Sequence, residues 1–129
     1  MQRSIQTIGI VAPSFFIEKN EEYERGIQYL TQNKYTIKYG KTVNRRYYNT
    51  TGTAKERADD INSMFGDSAV DMIIATDGGC RAEELIDLLD YDLIRANPKP
   101  FCGFSDITHL LLALYTKTNI PVVHGMDII

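Results

Sequence analysis

A doubly wound α/β sandwich, with a mainly parallel five-stranded sheet and helices on both faces, is the fold this sequence predicts. Three observations predict it. Short runs rich in Ile and Val alternate five times with segments of helical spacing. Most of these runs are continuously apolar, as strands covered on both faces are. The 129 residues, with 43% hydrophobic and 24% charged content, suit one soluble domain with one core.

The elements follow in order. Residues 7–12 (TIGIVA) form a buried strand closed by Pro13. In residues 20–33 (NEEYERGIQYLTQN), Tyr23, Ile27 and Leu30 recur at helical spacing. Residues 35–40 (YTIKYG) alternate as a half-buried strand does, and 41–52 (KTVNRRYYNTTG) are a polar, irregular loop. Residues 53–67 (TAKERADDINSMFGD) open with Thr53 and carry Glu56 three positions later, a capping box, and the helix ends at Gly66. Residues 70–76 (VDMIIAT) are the third strand, followed by an Asp77-Gly78-Gly79 turn and a helix over 81–90 (RAEELIDLLD). Residues 91–100 (YDLIRANPKP) make a helical turn broken at Pro98. The fourth strand lies in PFCGFS (100–105), the next helix over 106–118, and the fifth strand is IPVVHG (120–125). No internal repeat or low-complexity segment interrupts the pattern.

Right-handed crossovers turn this alternation into a doubly wound sheet, whose ligands bind beyond the carboxyl ends of the strands. Three segments fall there: TDGGC (76–80), GFSD (103–106) and VHG (123–125). They are expected to converge on one site.

A net charge of −3 gives no general attraction to nucleic acid or to an anionic membrane. The Arg45-Arg46 pair is short and reads as part of a solvated loop. No stretch reaches the ~20 apolar residues needed to span a bilayer. The opening MQRSIQTIGIVAPS reads as a strand and not as an export signal, which places the protein in the cytoplasm. Cys80 and Cys102 make no disulfide framework and no zinc spacing, and are expected to be reduced thiols. The chain closes on Met126, Ile128 and Ile129 around Asp127, with no closing helix, and reads as an interrupted protein.

Ser105 is the first candidate for chemistry. A serine at a strand-to-helix turn presents its hydroxyl above the sheet, and the N–H of Asp106 points into the same space. Gly103 permits the tight turn, although Ile107 stands where a nucleophile elbow has its last glycine. The other reading is that Ser105 or Asp106 caps the helix. Gly78 and Gly79 allow positive φ and close backbone approach, so their N–H groups can complete an oxyanion hole, cradle a phosphate, or form only a turn. Cys80, between strand and helix, is a rival nucleophile or a small buried thiol lining the pocket. His109 lies one turn beyond Ser105, but a helix stacks such side chains along its axis, which disfavours a Ser–His bond. His124 ends the fifth strand nearer the site and can line it, with no evident orienting carboxylate. The chain thus offers a nucleophile and an oxyanion hole without a convincing base.

The run from IIATDGGC through LLDYDLIRANPKPFCGFSD to IPVVHG, with IGIVAPS and ERADDINSMF before it, resembles the N-terminal domain of the LD-carboxypeptidase family of serine peptidases. The DYDLIRANPK form is most similar to the microcin C immunity branch. The resemblance implies a flavodoxin-like, class I amidotransferase-like three-layer sandwich. It implies Ser105 as nucleophile, with Asp106, Gly78 and Gly79 as the oxyanion hole. It implies a cytoplasmic, dimerising enzyme needing no metal or cofactor. Its substrate would be a murein tetrapeptide that loses its terminal D-alanine, or a peptidyl nucleotide in the immunity branch. The triad Glu and His would lie in a second, C-terminal domain absent from residues 1–129. A third class, a non-catalytic ligand-binding or association module, would be indifferent to Ser105. Two departures stand out: Cys80 follows the glycines, and GMDI replaces the Gly-Pro common after the fifth strand.

Overall fold

The computed structural model describes residues 4–18, 20–125 and 128. Five strands, β1 (Thr7–Val11), β2 (Thr36–Tyr39), β3 (Met72–Ala75), β4 (Phe101–Gly103) and β5 (Val122–His124), pair in the order β2-β1-β3-β4-β5. Every pairing is parallel. The sheet is the expected one, and its order fixes where the helices go. The step from β1 to β2 runs opposite to all later steps, so right-handed crossovers send its helix to the opposite face. α1 (Glu21–Gln32) therefore covers one face alone among the described helices, while α2 (Ala54–Gly66), α3 (Tyr91–Ala96) and α4 (Thr108–Thr118) share the other.

Strand alternation divides the core accordingly. Val11, Ile73, Ala75 and Phe101 meet Ile61 and Phe65 of α2, Ile94 of α3 and Leu110 and Leu114 of α4. The Phe65 and Phe101 rings stack with centroids 6.1 Å apart. Each such fully buried Val, Ile, Leu or Phe side chain contributes about 1.5–3 kcal/mol of transfer free energy. On the second face Ile8, Ile10 and Ala12 pack on Tyr23, with Val43 and Ile128 closing the cluster. Burial, followed by the neighbouring Tyr39 and Glu24, pushes the Tyr23 hydroxyl up to about 12, so it stays neutral in this interface.

Local chemistry sets the helix starts. Asn20 accepts the Tyr23 N–H at the head of α1. The capping box of α2 is present: Glu56 N donates to Thr53 Oγ1 at 3.2 Å, and Thr53 N donates to Glu56 Oε2 at 2.9 Å. The Thr53 backbone and hydroxyl hold the Glu56 carboxyl below its ordinary range.

Two expectations are corrected. The helix expected over residues 81–90 is a 3-10 segment, Ala82–Leu88, entered through Arg81 at φ 71°. Its three-residue repeat puts Ala82 and Leu85 on one face, and both are fully buried. The helix expected from residue 106 begins instead with a separate 3-10 turn, Ser105–Ile107, before α4. No helix among the described residues is long and apolar enough to cross a membrane. Met126, Asp127 and Ile129, on which the interrupted ending was read, lie outside the described residues, whereas Ile128 is buried against α1.

Candidate active site

Three loops meet at the carboxyl edge of the sheet, following β1, β3 and β4. The loop after β4 carries Ser105, which is exposed and holds φ 54°. A non-glycine residue rarely adopts this left-handed conformation, and strain of about 1–3 kcal/mol persists only where the surroundings impose it. Ser105 does not cap its helix: Phe104 is the capping position, and no side-chain cap bond is made there. The turn therefore costs conformational energy and returns no cap, while presenting a hydroxyl to solvent.

Gly78 explains how the turn fits. A Cβ there would stand 2.9 Å from Ser105 Cβ, 3.2 Å from Ser105 Oγ and 3.6 Å from the Asp106 nitrogen. The bare backbone of Gly78 thus lies beside both the hydroxyl and the candidate oxyanion donor. Gly79 holds φ 132°, where its missing side chain admits the Phe15 ring. The Gly78 N–H donates to Asp77 Oδ1 at 2.7 Å, so its use as an oxyanion donor would compete with that contact.

The Asp106 carboxylate also performs a capping role, on a neighbouring element. Its Oδ2 accepts the Ala82 N–H at 2.9 Å, at the head of the 3-10 segment. The buried Ser14 hydroxyl lies 2.6 Å from the same oxygen and 2.9 Å from the Cys80 carbonyl, sharing its proton between them. Ser14, from the loop after β1, thereby joins the loops after β3 and β4. Phe15 N donates to Gly78 O at 3.3 Å in the same seam.

Arg57 of α2 is the second tie. It is only 2% exposed. Nε donates to Gly52 O at 2.9 Å, Nη1 to Pro13 O at 2.8 Å and Arg81 O at 3.1 Å, and Nη2 to Glu84 Oε2 at 2.7 Å. One guanidinium therefore anchors the loops after β1, β2 and β3. Nearby, Asp60 accepts from Lys41 N, Thr42 N and Thr42 Oγ1 at 2.7–2.9 Å, shaping the start of the long loop after β2.

The other candidates fall into place around this centre. Cys80 is half-buried, and its sulfur accepts the Asn49 amide at 3.4 Å. Cys102 is buried in β4. His124 is exposed at the end of β5, paired in register with Gly103. His109 points towards Asp106, with Nε2 3.9 Å from Oδ1. No hydrogen bond joins either histidine to Ser105 among the described residues. Ser14 and Arg57 escaped the sequence reading, and Asp106, read as a cap for its own helix, caps the 3-10 segment at Ala82 instead. Arg57 and Asp60 left a faint signal, since both are charges on the stripe of α2 that also carries Ile61, Met64 and Phe65.

The fold and this edge define a doubly wound α/β domain with a serine held at a strained strand-to-helix turn beside a glycine loop. The chain belongs to the LD-carboxypeptidase family, a family of serine carboxypeptidase-like hydrolases: residues 8–125 match its "LD-carboxypeptidase N-terminal domain". It is 35% identical over 118 residues to the Escherichia coli microcin C7 self-immunity protein MccF, covering 92% of this chain and 34% of that protein. It is 29% identical to a probable murein peptide carboxypeptidase of Bacillus subtilis, covering 92% of this chain and 37% of that protein. Among solved structures, MccF in complex with aspartyl sulfamoyl adenosine superposes with a TM-score of 0.94 at 31% identity, over 99% of this chain and 39% of that one. The chain thus spans little more than a third of the length of these relatives.

Proposed function

We propose that this chain is the nucleophile-bearing domain of a two-domain serine hydrolase that cleaves the L-residue–D-alanine bond of murein tetrapeptides. The observation that carries the reading is Ser105 at positive φ, its hydroxyl against Gly78 and beside the Asp106 N–H. In the proposed reaction Ser105 Oγ attacks the peptide carbonyl, and the Asp106 N–H and the glycine loop hold the oxyanion. The tetrahedral intermediate collapses by expelling the amine of D-alanine, and water then releases the acyl group from Ser105. Cys80 and His124 stand at the rim as pocket residues. The base that takes the serine proton, and the carboxylate that orients it, are the His and the Glu, respectively, expected outside residues 1–129. On the same resemblance we place the protein in the cytoplasm as a homodimer.

A second reading is favoured by the ligands bound in structural neighbours. MccF is described with aspartyl sulfamoyl adenosine and with glutamyl sulfamoyl guanosine. The same serine would then attack the acyl carbonyl of an aminoacyl or peptidyl nucleotide.

The test compares the purified chain with Ser105→Ala on a murein tetrapeptide and on aspartyl sulfamoyl adenosine. Catalytic groups act as a unit, so little Ser105-dependent turnover is expected from this chain alone on either substrate. Robust release of D-alanine that Ser105→Ala abolishes would place the base within these residues and overturn the half-site. Robust Ser105-dependent cleavage of the nucleotide mimic would do the same and select the second reading.

A further inference from the structure

We propose that Ser14 is a positioning residue for acyl transfer: through the Asp106 carboxylate it holds the Asp106 N–H and the Ser105 hydroxyl in their reactive arrangement. The inference rests on Ser105 being the nucleophile, and it gives a role in the reaction to a residue buried away from any substrate. Ser14 is 0% exposed. Its hydroxyl stands 2.6 Å from Asp106 Oδ2 and 2.9 Å from the Cys80 carbonyl. The shorter contact is to a charged acceptor, and such bonds are roughly twice as strong as neutral ones.

The serine turn depends on this tie. Among the described residues, the hydrogen bonds that join Ser105–Ile107 to distant parts of the chain all run through the Asp106 carboxylate, to Ser14 and to the Ala82 N–H. The turn's other bonds are local: Ile107 N donates to Phe104 O, and Thr108 N to Ser105 O. Local bonds of this kind form equally well in relaxed backbone, so they do not impose φ 54° on Ser105. Such a conformation persists only where its surroundings over-determine it. The Asp106 side chain and the N–H assigned to the oxyanion belong to the same residue. Fixing the carboxylate therefore fixes the direction of that N–H and the placing of the serine before it.

The other end of the tie is rigid. Three consecutive residues after β1 reach three parts of the site. Pro13 O accepts from the buried Arg57 at 2.8 Å, Ser14 holds Asp106, and Phe15 N donates to Gly78 O at 3.3 Å. The Phe15 ring occupies the space that a side chain on Gly79 would need. Residues 13–15 thus seat the glycine loop and the serine turn on one common support. Loss of the Ser14 hydroxyl loosens the turn while Phe15 still holds the glycine loop. The turn then relaxes towards a commoner backbone conformation, and the Asp106 N–H leaves the oxyanion position. A misplacement of about 1 Å costs roughly a hundredfold in rate, and with the Ala82 tie still in place a loss of about tenfold is expected.

The experiment measures acylation of Ser105 by an activated phenyl ester in Ser14→Ala, Ser14→Cys, Asp106→Ala and the Ser14→Ala/Asp106→Ala double variant. In that step Ser105 Oγ bonds to the ester carbonyl carbon, hydroxide takes the serine proton and phenolate leaves. Ser14→Ala should react about tenfold more slowly, with the rate still proportional to hydroxide. Ser14→Cys keeps a weak donor at the same place and should recover part of the loss. It also supplies the comparison if Ser14→Ala does not fold, which far-UV circular dichroism checks. The double variant should be no slower than Asp106→Ala alone, because Ser14 acts only through Asp106. Acylation of Ser14→Ala at the rate of the unaltered chain, or losses that simply add in the double variant, would overturn the proposal and leave the nucleophile in place. A Ser105 that no ester modifies in the unaltered chain would overturn the nucleophile reading itself, and this inference with it.

Discussion

Arg57→Ala is expected to destabilise the domain by about 3–5 kcal/mol, much of the 5–15 kcal/mol that a domain of this size has in total. The guanidinium is 2% exposed and makes four hydrogen bonds. Truncation leaves the carbonyls of Pro13, Gly52 and Arg81 without that donor in a buried place, each costing about 1–3 kcal/mol before relaxation. Glu84 loses its closest cation but keeps Arg81 at 3.1 Å and partial solvation, so it suffers least. Arg57→Lys should recover only a small part, because one ammonium cannot reproduce a planar fork that reaches three loops. Urea unfolding of the three proteins checks this. A fall in midpoint equivalent to less than 1 kcal/mol for Arg57→Ala would show that the loops hold together without it.

Gly78→Ala is expected to slow acylation of Ser105 by an activated ester about a hundredfold, the penalty typical of a reacting group displaced by about 1 Å. The cause is steric. Gly78 is not among the positive-φ glycines, so alanine can adopt its backbone conformation. The added methyl, however, would meet Ser105 Cβ at 2.9 Å and crowd Oγ and the Asp106 N–H. One side must move, and the exposed serine turn yields before the buried glycine loop does. The stability cost should stay near 1 kcal/mol, in the range of mild overpacking. The measurement is the rate at which mass spectrometry finds the adduct on Ser105. A rate equal to that of the unaltered chain would mean that this close approach has no part in the serine's chemistry.

The fold was legible because the apolar strands and helical stripes agree with one another along the chain. TIGIVA, VDMIIAT and IPVVHG contain strands of one parallel sheet, and the Thr53/Glu56 box starts α2 where its spacing requires. AEELIDLL misled because its composition favours an α-helix. Tertiary demands won: Arg81 enters in the left-handed region, Asp106 captures the Ala82 N–H, and the core takes Ala82 and Leu85 at a three-residue interval. For Ser105, spacing left cap and nucleophile open. The backbone angle and the Gly78 contact separate these readings, and neither is encoded locally. Asp106 shows the same limit from the other side, since it is a cap, but for an element about twenty residues earlier in the chain. The ties made by Ser14 and Arg57 are long-range and leave almost no local trace.

The central claim is that Ser105 is a nucleophile whose base lies outside these residues. The pH dependence of Ser105 acylation by an activated ester, followed by peptide-mapped mass spectrometry from near neutral to mildly alkaline pH, tests it most directly. An adduct on Ser105 whose rate rises in proportion to hydroxide, without an inflection near the histidine range, is the predicted result. An inflection there would reveal an internal base, and a chain modified elsewhere while Ser105 stays free at every pH would contradict the nucleophile itself.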